Sequence, residues 1–108
     1  MADVVVTSRD DGGAVSVSMG DRIVLDLPEN PTTGYVWAFE ALDESMLDLD
    51  GSDWQAAGPG TGTGGDRVWR LGPRRPGTTR LELKRWRPWA GDPSVIQRFA
   101  VTVEISAG

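Results

Sequence analysis

Several stretches of the chain alternate apolar and polar residues with period two, the pattern of a strand with one buried face. Arg22 to Leu27 puts Ile23, Leu25 and Leu27 on one side, and Tyr35 to Ala41 does the same for Tyr35, Trp37, Phe39 and Ala41. Thr79 to Arg85 aligns Leu81 with Leu83, and Arg98 to Ile105 aligns Phe99, Val101, Val103 and Ile105. Fainter alternation runs through Val4 to Thr7, Ala14 to Ser18 and Arg67 to Leu71. Turn residues separate these runs at Asp11-Gly12-Gly13, Met19-Gly20-Asp21, Gly58-Pro59-Gly60 and Gly72-Pro73 through Pro76-Gly77. Only Leu42 to Leu49 has the composition for a helical turn. About seven short antiparallel strands with few helices predict an all-β chain, a β-sandwich of immunoglobulin-like type.

Length and composition narrow this picture. A chain of 108 residues, 39% hydrophobic and 25% charged, is long enough to bury one core, so a single domain spanning 1–108 is expected. Cysteine is absent, which removes disulfides, thiolate metal sites and a cysteine nucleophile. Histidine is absent as well, and with it the usual general base, the commonest metal ligand and the side chain that titrates near neutral pH. Little pH response between 6 and 8 is therefore expected from this chain, and neither a metal nor a cofactor.

The net charge of −5 argues against nucleic acid or an anionic membrane as partner. It is unevenly spread: residues 1–66 carry 2 basic and 13 acidic side chains, residues 67–108 carry 9 and 3. Because the arginines of the second half sit among strand-forming residues, interleaved strands would mix the two signs on one surface. The opening Met1-Ala2-Asp3-Val4 has no signal-like character, so the expected location is cytoplasmic as written, or secreted or periplasmic if a signal has been trimmed.

Three loops demand a reason. In Asn30-Pro31-Thr32-Thr33-Gly34-Tyr35, proline fixes one φ and biases Asn30 towards extended geometry. The threonines are stiff at χ1, and Gly34 can take a left-handed conformation. The proline also disqualifies Asn30 as a glycosylation acceptor. Gly60 to Gly65 formally matches G-x-G-x-x-G, but Val68-Trp69-Arg70-Leu71 reads as a strand where the dinucleotide fingerprint needs a helix. What remains is a loop poor in side chains, able to bring its backbone close to a partner or to serve as a plain hairpin tip. Arg85-Trp86-Arg87-Pro88-Trp89-Ala90-Gly91 pairs an arginine with a tryptophan outside the strand pattern, the composition of an interface anchor or of a cap on the sandwich end. Sandwich loops gather at two ends, so the three can form one surface.

These motifs, "NPTTGY" at Asn30 to Tyr35, "GTGG" at Gly62, Thr63, Gly64 and Gly65, and "RPW" at Arg87, Pro88 and Trp89, resemble in order and spacing the three signature loops of the chagasin family of cysteine-protease inhibitors. The likeness covers roughly residues 21 to 105 and includes Trp37 and the closing strand. The resemblance implies an immunoglobulin-like sandwich, monomeric when free, that reversibly blocks a papain-like cysteine protease without covalent chemistry. It implies that Asn30 to Gly34 cover the catalytic residues of the enzyme, that Gly62 to Gly65 follow the substrate groove, and that Arg87 to Trp89 hold its other side. Tyr35 stands where many relatives carry phenylalanine.

Two other functions compete on the residues alone. Five tryptophans in a short chain suggest a carbohydrate-binding module with Trp54, Trp69, Trp86 or Trp89 as stacking platforms. Scattered carboxylates such as Asp21, Asp26 and Glu29 offer an acid–base enzyme only if folding brings them together.

Overall fold

The computed structural model describes residues 2–56 and 64–108. Among the described residues it contains eight strands and no α-helix: β1 (Asp3–Thr7), β2 (Ala14–Ser18), β3 (Arg22–Glu29), β4 (Val36–Ala41), β5 (Leu47–Ala56), β6 (Gly65–Pro73), β7 (Gly77–Trp86) and β8 (Gln97–Ser106). They form two four-stranded sheets, ordered β1-β3-β6-β5 and β2-β8-β7-β4. No helix here is long and apolar enough to cross a membrane.

The period-two residues close the sandwich. Ile23, Leu25, Leu27 and Leu71 from the first sheet meet Leu81, Leu83, Val101 and Val103 from the second, and each is 0% exposed. Burying side chains of this size contributes about 1.5–3 kcal/mol apiece before conformational entropy is deducted. Phe39 of β4 and Trp69 of β6 meet edge to face across the sandwich, ring centroids 5.6 Å apart.

Two features differ from the expected set of seven antiparallel strands. β1 pairs with β3 in parallel because the chain reverses twice between them, once between β1 and β2 and again at Met19-Gly20-Asp21, and β2, which lies in the other sheet, pairs with β8 in parallel. β5 is the added strand. It occupies a sheet edge, its residues after Leu47 are mostly exposed, and its register shifts between Leu49 and Gly51. An edge strand studded with Asp48, Asp50 and Asp53 has no clean alternation to display, and such charge blunts edge-to-edge association. The helical turn expected over Leu42 to Leu49 is limited to its first half: the amides of Met46 and Leu47 both donate to the Asp43 carbonyl, and the chain then extends into β5.

Candidate functional site

Three connections leave the sandwich at one pole. β3 ends at Glu29 level with Gly65, where β6 begins, and Gly65 is level with Ala56, where β5 ends. In the other sheet Val36, which opens β4, is paired with Trp86, which closes β7. The strand ends at Glu29, Ala56 and Gly65 are therefore neighbours in one sheet, as Val36 and Trp86 are in the other, and the turn from Asn30 to Tyr35 links the two sets.

The loop after β3 is rigid for reasons already present in its residues. Pro31–Thr33 forms one 3-10 turn capped by Asn30, whose side-chain oxygen accepts from the Thr32 amide at 3.1 Å and the Thr32 hydroxyl at 2.7 Å. The Thr33 hydroxyl donates to the Asn30 carbonyl at 2.8 Å and accepts from the Tyr35 amide at 3.3 Å. Gly34 closes the turn at φ 82°, a left-handed value that costs a side-chain-bearing residue free energy. Pro31, Thr32 and Thr33 are exposed. The loop thus presents its tip while the side-chain oxygens of Asn30, Thr32 and Thr33 are engaged within the turn.

The loop after β7 is built differently. Pro88–Ala90 and Asp92–Ser94 form successive 3-10 turns about Gly91, whose φ is 73°. The Ser94 hydroxyl ties them together, donating to the Gly91 carbonyl at 2.6 Å and accepting from the Arg87 amide at 3.0 Å. Trp89 projects from this frame 74% exposed, while Trp86 stays in β7 under the Lys84 ammonium, 3.6 Å from its ring centroid.

These two loops are joined. The Arg87 guanidinium donates twice to the Thr33 carbonyl, at 3.0 and 3.3 Å, and stacks over the Tyr35 ring at 4.3 Å. A Cβ placed on Gly34 would stand 2.7 Å from the six-membered ring of Trp89, so glycine is what lets that indole lie across the turn. On the opposite flank, a Cβ on Gly64 would come 3.7 Å from the Asn30 side chain. Asn30, Pro31, Thr32, Thr33, Gly34, Tyr35, Gly64, Arg87, Pro88 and Trp89 accordingly share one pole, with the turn after β3 in the middle.

Gly62 and Thr63 lie outside the described residues. Gly65 is placed otherwise than a loop residue: it is buried in β6, paired with both Glu29 and Ala56, and the Gln55 carbonyl, followed by the Trp54 indole, takes the space a side chain would need. Its lack of a side chain serves internal packing.

Beneath the pole lies a polar group that the alternation of β3 foretells by phase. Ile23, Leu25 and Leu27 point inward, and the next residue in step is Glu29, only 2% exposed. Its carboxylate accepts from the Trp37 amide at 2.9 Å and forms an ion pair with Arg67 at 3.0 Å, and its carbonyl accepts from the Trp54 indole at 3.0 Å. A charge on a buried phase requires such partners. The phase in the sequence marks Glu29 alone; its partners Arg67 and Trp54 come from β6 and β5 and are identified by the fold.

The competing functions lose their geometry. Asp21 and Glu29 sit at opposite ends of β3, about 25 Å apart along an extended strand. Asp21 is occupied in its turn, accepting from the Ser18 amide at 2.9 Å, and Glu29 in its ion pair. Asp26 stands beside Asp66 instead; burial first, and then that carboxylate's hydrogen bond and charge, raise it from 3.8 to about 6. The absence of histidine gave no warning of a group titrating so near neutrality. No cluster of metal-ligating side chains occurs among the described residues. Trp69 is buried and Trp86 is covered by Lys84, which leaves Trp89 and the partly exposed Trp54, the latter held by its hydrogen bond to the Glu29 carbonyl.

Residues 16–103 match the chagasin family of peptidase inhibitors, I42. The chain is 31% identical over 101 residues to chagasin of Trypanosoma cruzi, covering 89% of this chain and 92% of that one. The crystal structure of the cysteine protease inhibitor EhICP2 from Entamoeba histolytica superposes with a TM-score of 0.84 at 28% identity, over 97% of this chain and 96% of that one. PbICP-C, solved in complex with falcipain-2, shares the fold, with a TM-score of 0.65 at 14% identity over 98% of this chain and all of that one. The chain belongs to the chagasin family of peptidase inhibitors.

Proposed function

We propose that this protein is a reversible inhibitor of papain-like cysteine proteases that closes the active-site cleft with the three loops at its β3/β5/β7 pole. The observation that carries the reading is that the turn capped by Asn30 meets the Arg87–Trp89 loop directly, through the Arg87 hydrogen bonds to the Thr33 carbonyl and the Trp89 indole beside Gly34. Asn30 to Gly34 form the central wedge over the catalytic residues of the enzyme. Gly62 to Gly64 follow one side of the substrate groove, with Gly65 fixed in β6 as the stem behind them, and Arg87, Pro88 and Trp89 grip the other.

Inhibition by fit suits this surface. The central turn is already ordered, so binding forgoes little of the roughly 0.5–1.5 kcal/mol that immobilising each mobile side chain costs. The glycine loop can offer N–H and C=O groups to a groove shaped for an extended peptide. Trp89 supplies exposed aromatic area on a braced frame. The named targets of relatives are consistent: EhICP2 is a cysteine protease inhibitor, and PbICP-C is held with falcipain-2.

The test is Thr32→Lys. Thr32 is exposed at the tip, so the variant keeps the melting temperature near that of wild type and raises the inhibition constant against papain at least tenfold. Unchanged inhibition would remove the central loop from the contact surface.

A further inference from the structure

We propose that Glu29 is a positioning residue for inhibition: its buried carboxylate is a strut between the two sheets that sets the spacing of the three loops. The inference rests on the reading of the pole as the protease-contacting surface.

The topology makes this residue unusual. β3 lies in one sheet and β4 in the other, so the turn from Asn30 to Tyr35 is also the crossing between sheets. Glu29 spans that crossing, because its carboxylate accepts from the amide of Trp37 at 2.9 Å. The Trp37 indole answers by donating to the Pro28 carbonyl at 2.8 Å. These bonds join strands that share no ladder, directly below the wedge.

The same residue is bonded to both strands that flank the glycine loop. Arg67, which fixes it with Nε and a terminal nitrogen, each at 3.0 Å, lies in β6 just beyond Gly65. Trp54 donates to the Glu29 carbonyl from β5, the other stem of that loop, at 3.0 Å. One residue therefore contacts both stems of the glycine loop and both stems of the central turn. Through Trp37, which is paired with Arg85, it also reaches the strand that carries Arg87 and Trp89.

Stability alone does not call for such a pair. A well-packed apolar side chain at a buried ion-pair position often folds as well or better, whereas the directed bonds of a carboxylate fix geometry that packing leaves free. Placing the charge under the loops, while the rest of the core is apolar, fits a role in holding shape.

The experiment compares Glu29→Gln with Ile105→Ala, a core truncation at the end of β8 away from the loops. The first substitution keeps the size of the side chain but turns an amide towards Arg67. Two readouts are taken: amide hydrogen exchange of residues 32–37 in the free protein, and inhibition of papain. Glu29→Gln should speed exchange of these amides at least tenfold and raise the inhibition constant at least tenfold, mainly through faster dissociation. Ile105→Ala should leave both within about twofold of wild type at a temperature where it is folded. If Glu29→Gln does not fold, Arg67→Lys, which keeps the charge but loses the fork, is judged by the same criteria. Equal exchange in wild type and variant, or inhibition lost equally by the Ile105 control, would overturn the proposal. If wild type does not inhibit papain, the functional reading fails for that enzyme, and the exchange comparison on the free protein still decides whether Glu29 orders the turn.

Discussion

The indole of Trp89 lies across Gly34, so close that a Cβ there would stand 2.7 Å from its six-membered ring. Two loops separated by more than fifty residues of sequence are thereby one surface. Gly34 serves twice, since its φ of 82° also ends the 3-10 turn.

Gly34→Ala should fail on both counts. The left-handed backbone alone costs about 1 kcal/mol, which lowers the melting temperature by about 4–8 °C in a domain of this size. The displaced indole should also weaken inhibition of papain beyond tenfold. Thermal melting and an inhibition titration of the same preparation check both outcomes.

Trp89→Ala should separate binding from folding. With 74% of the residue already exposed, its truncation should move the melting temperature by no more than about 2 °C, as for a surface change. Lost interface area should cost about 2 kcal/mol, or roughly thirtyfold in the inhibition constant.

Arg87→Lys tests the fork. Lysine retains the charge but cannot donate to the Thr33 carbonyl from two nitrogens while stacking flat on Tyr35. A loss of about 0.5–1 kcal/mol in affinity is expected, a few-fold effect. Titration calorimetry at two salt concentrations should find that loss largely unchanged, because the charge is conserved.

Asp26 predicts a pH dependence of stability. Its folded value of about 6 lies above 3.8, so folding takes up a proton between those limits, and stability declines as pH rises through that window and then levels off. Asp26→Asn should raise the melting temperature at pH 7 by an amount equivalent to about 1 kcal/mol, the exposed part of the carboxyl being screened by solvent, and should have little effect near pH 4. Melting curves of both proteins across that range give the answer.

What the sequence disclosed follows from which residues face the core. β3, β7 and β8 announce themselves because they are buried on one face, and the three loop motifs stand out because proline, glycine and tryptophan constrain the chain wherever they occur. β5 was hidden because an exposed edge strand has no hydrophobic phase, and the bulge at Leu49 to Gly51 erases what alternation it has. Gly65 reads as loop backbone in the sequence, yet it is the close approach of the β5 backbone at Gln55, and of Trp54, that requires glycine there, a distinction that depends on a partner strand. Glu29 sat in phase with Leu27, yet its meaning required Arg67, far along the chain, to be found beside it. The link between Arg87 and Thr33 was equally invisible, since spacing alone cannot say which loops share a pole.

The most direct measurement is a titration of active papain with the wild-type protein, followed by dilution of the complex. Saturating, one-to-one loss of peptidase activity that returns on dilution, with the added chain recovered uncleaved, is the predicted result. Full activity in the presence of high micromolar protein, or inhibition that survives dilution through a covalent adduct, would contradict it.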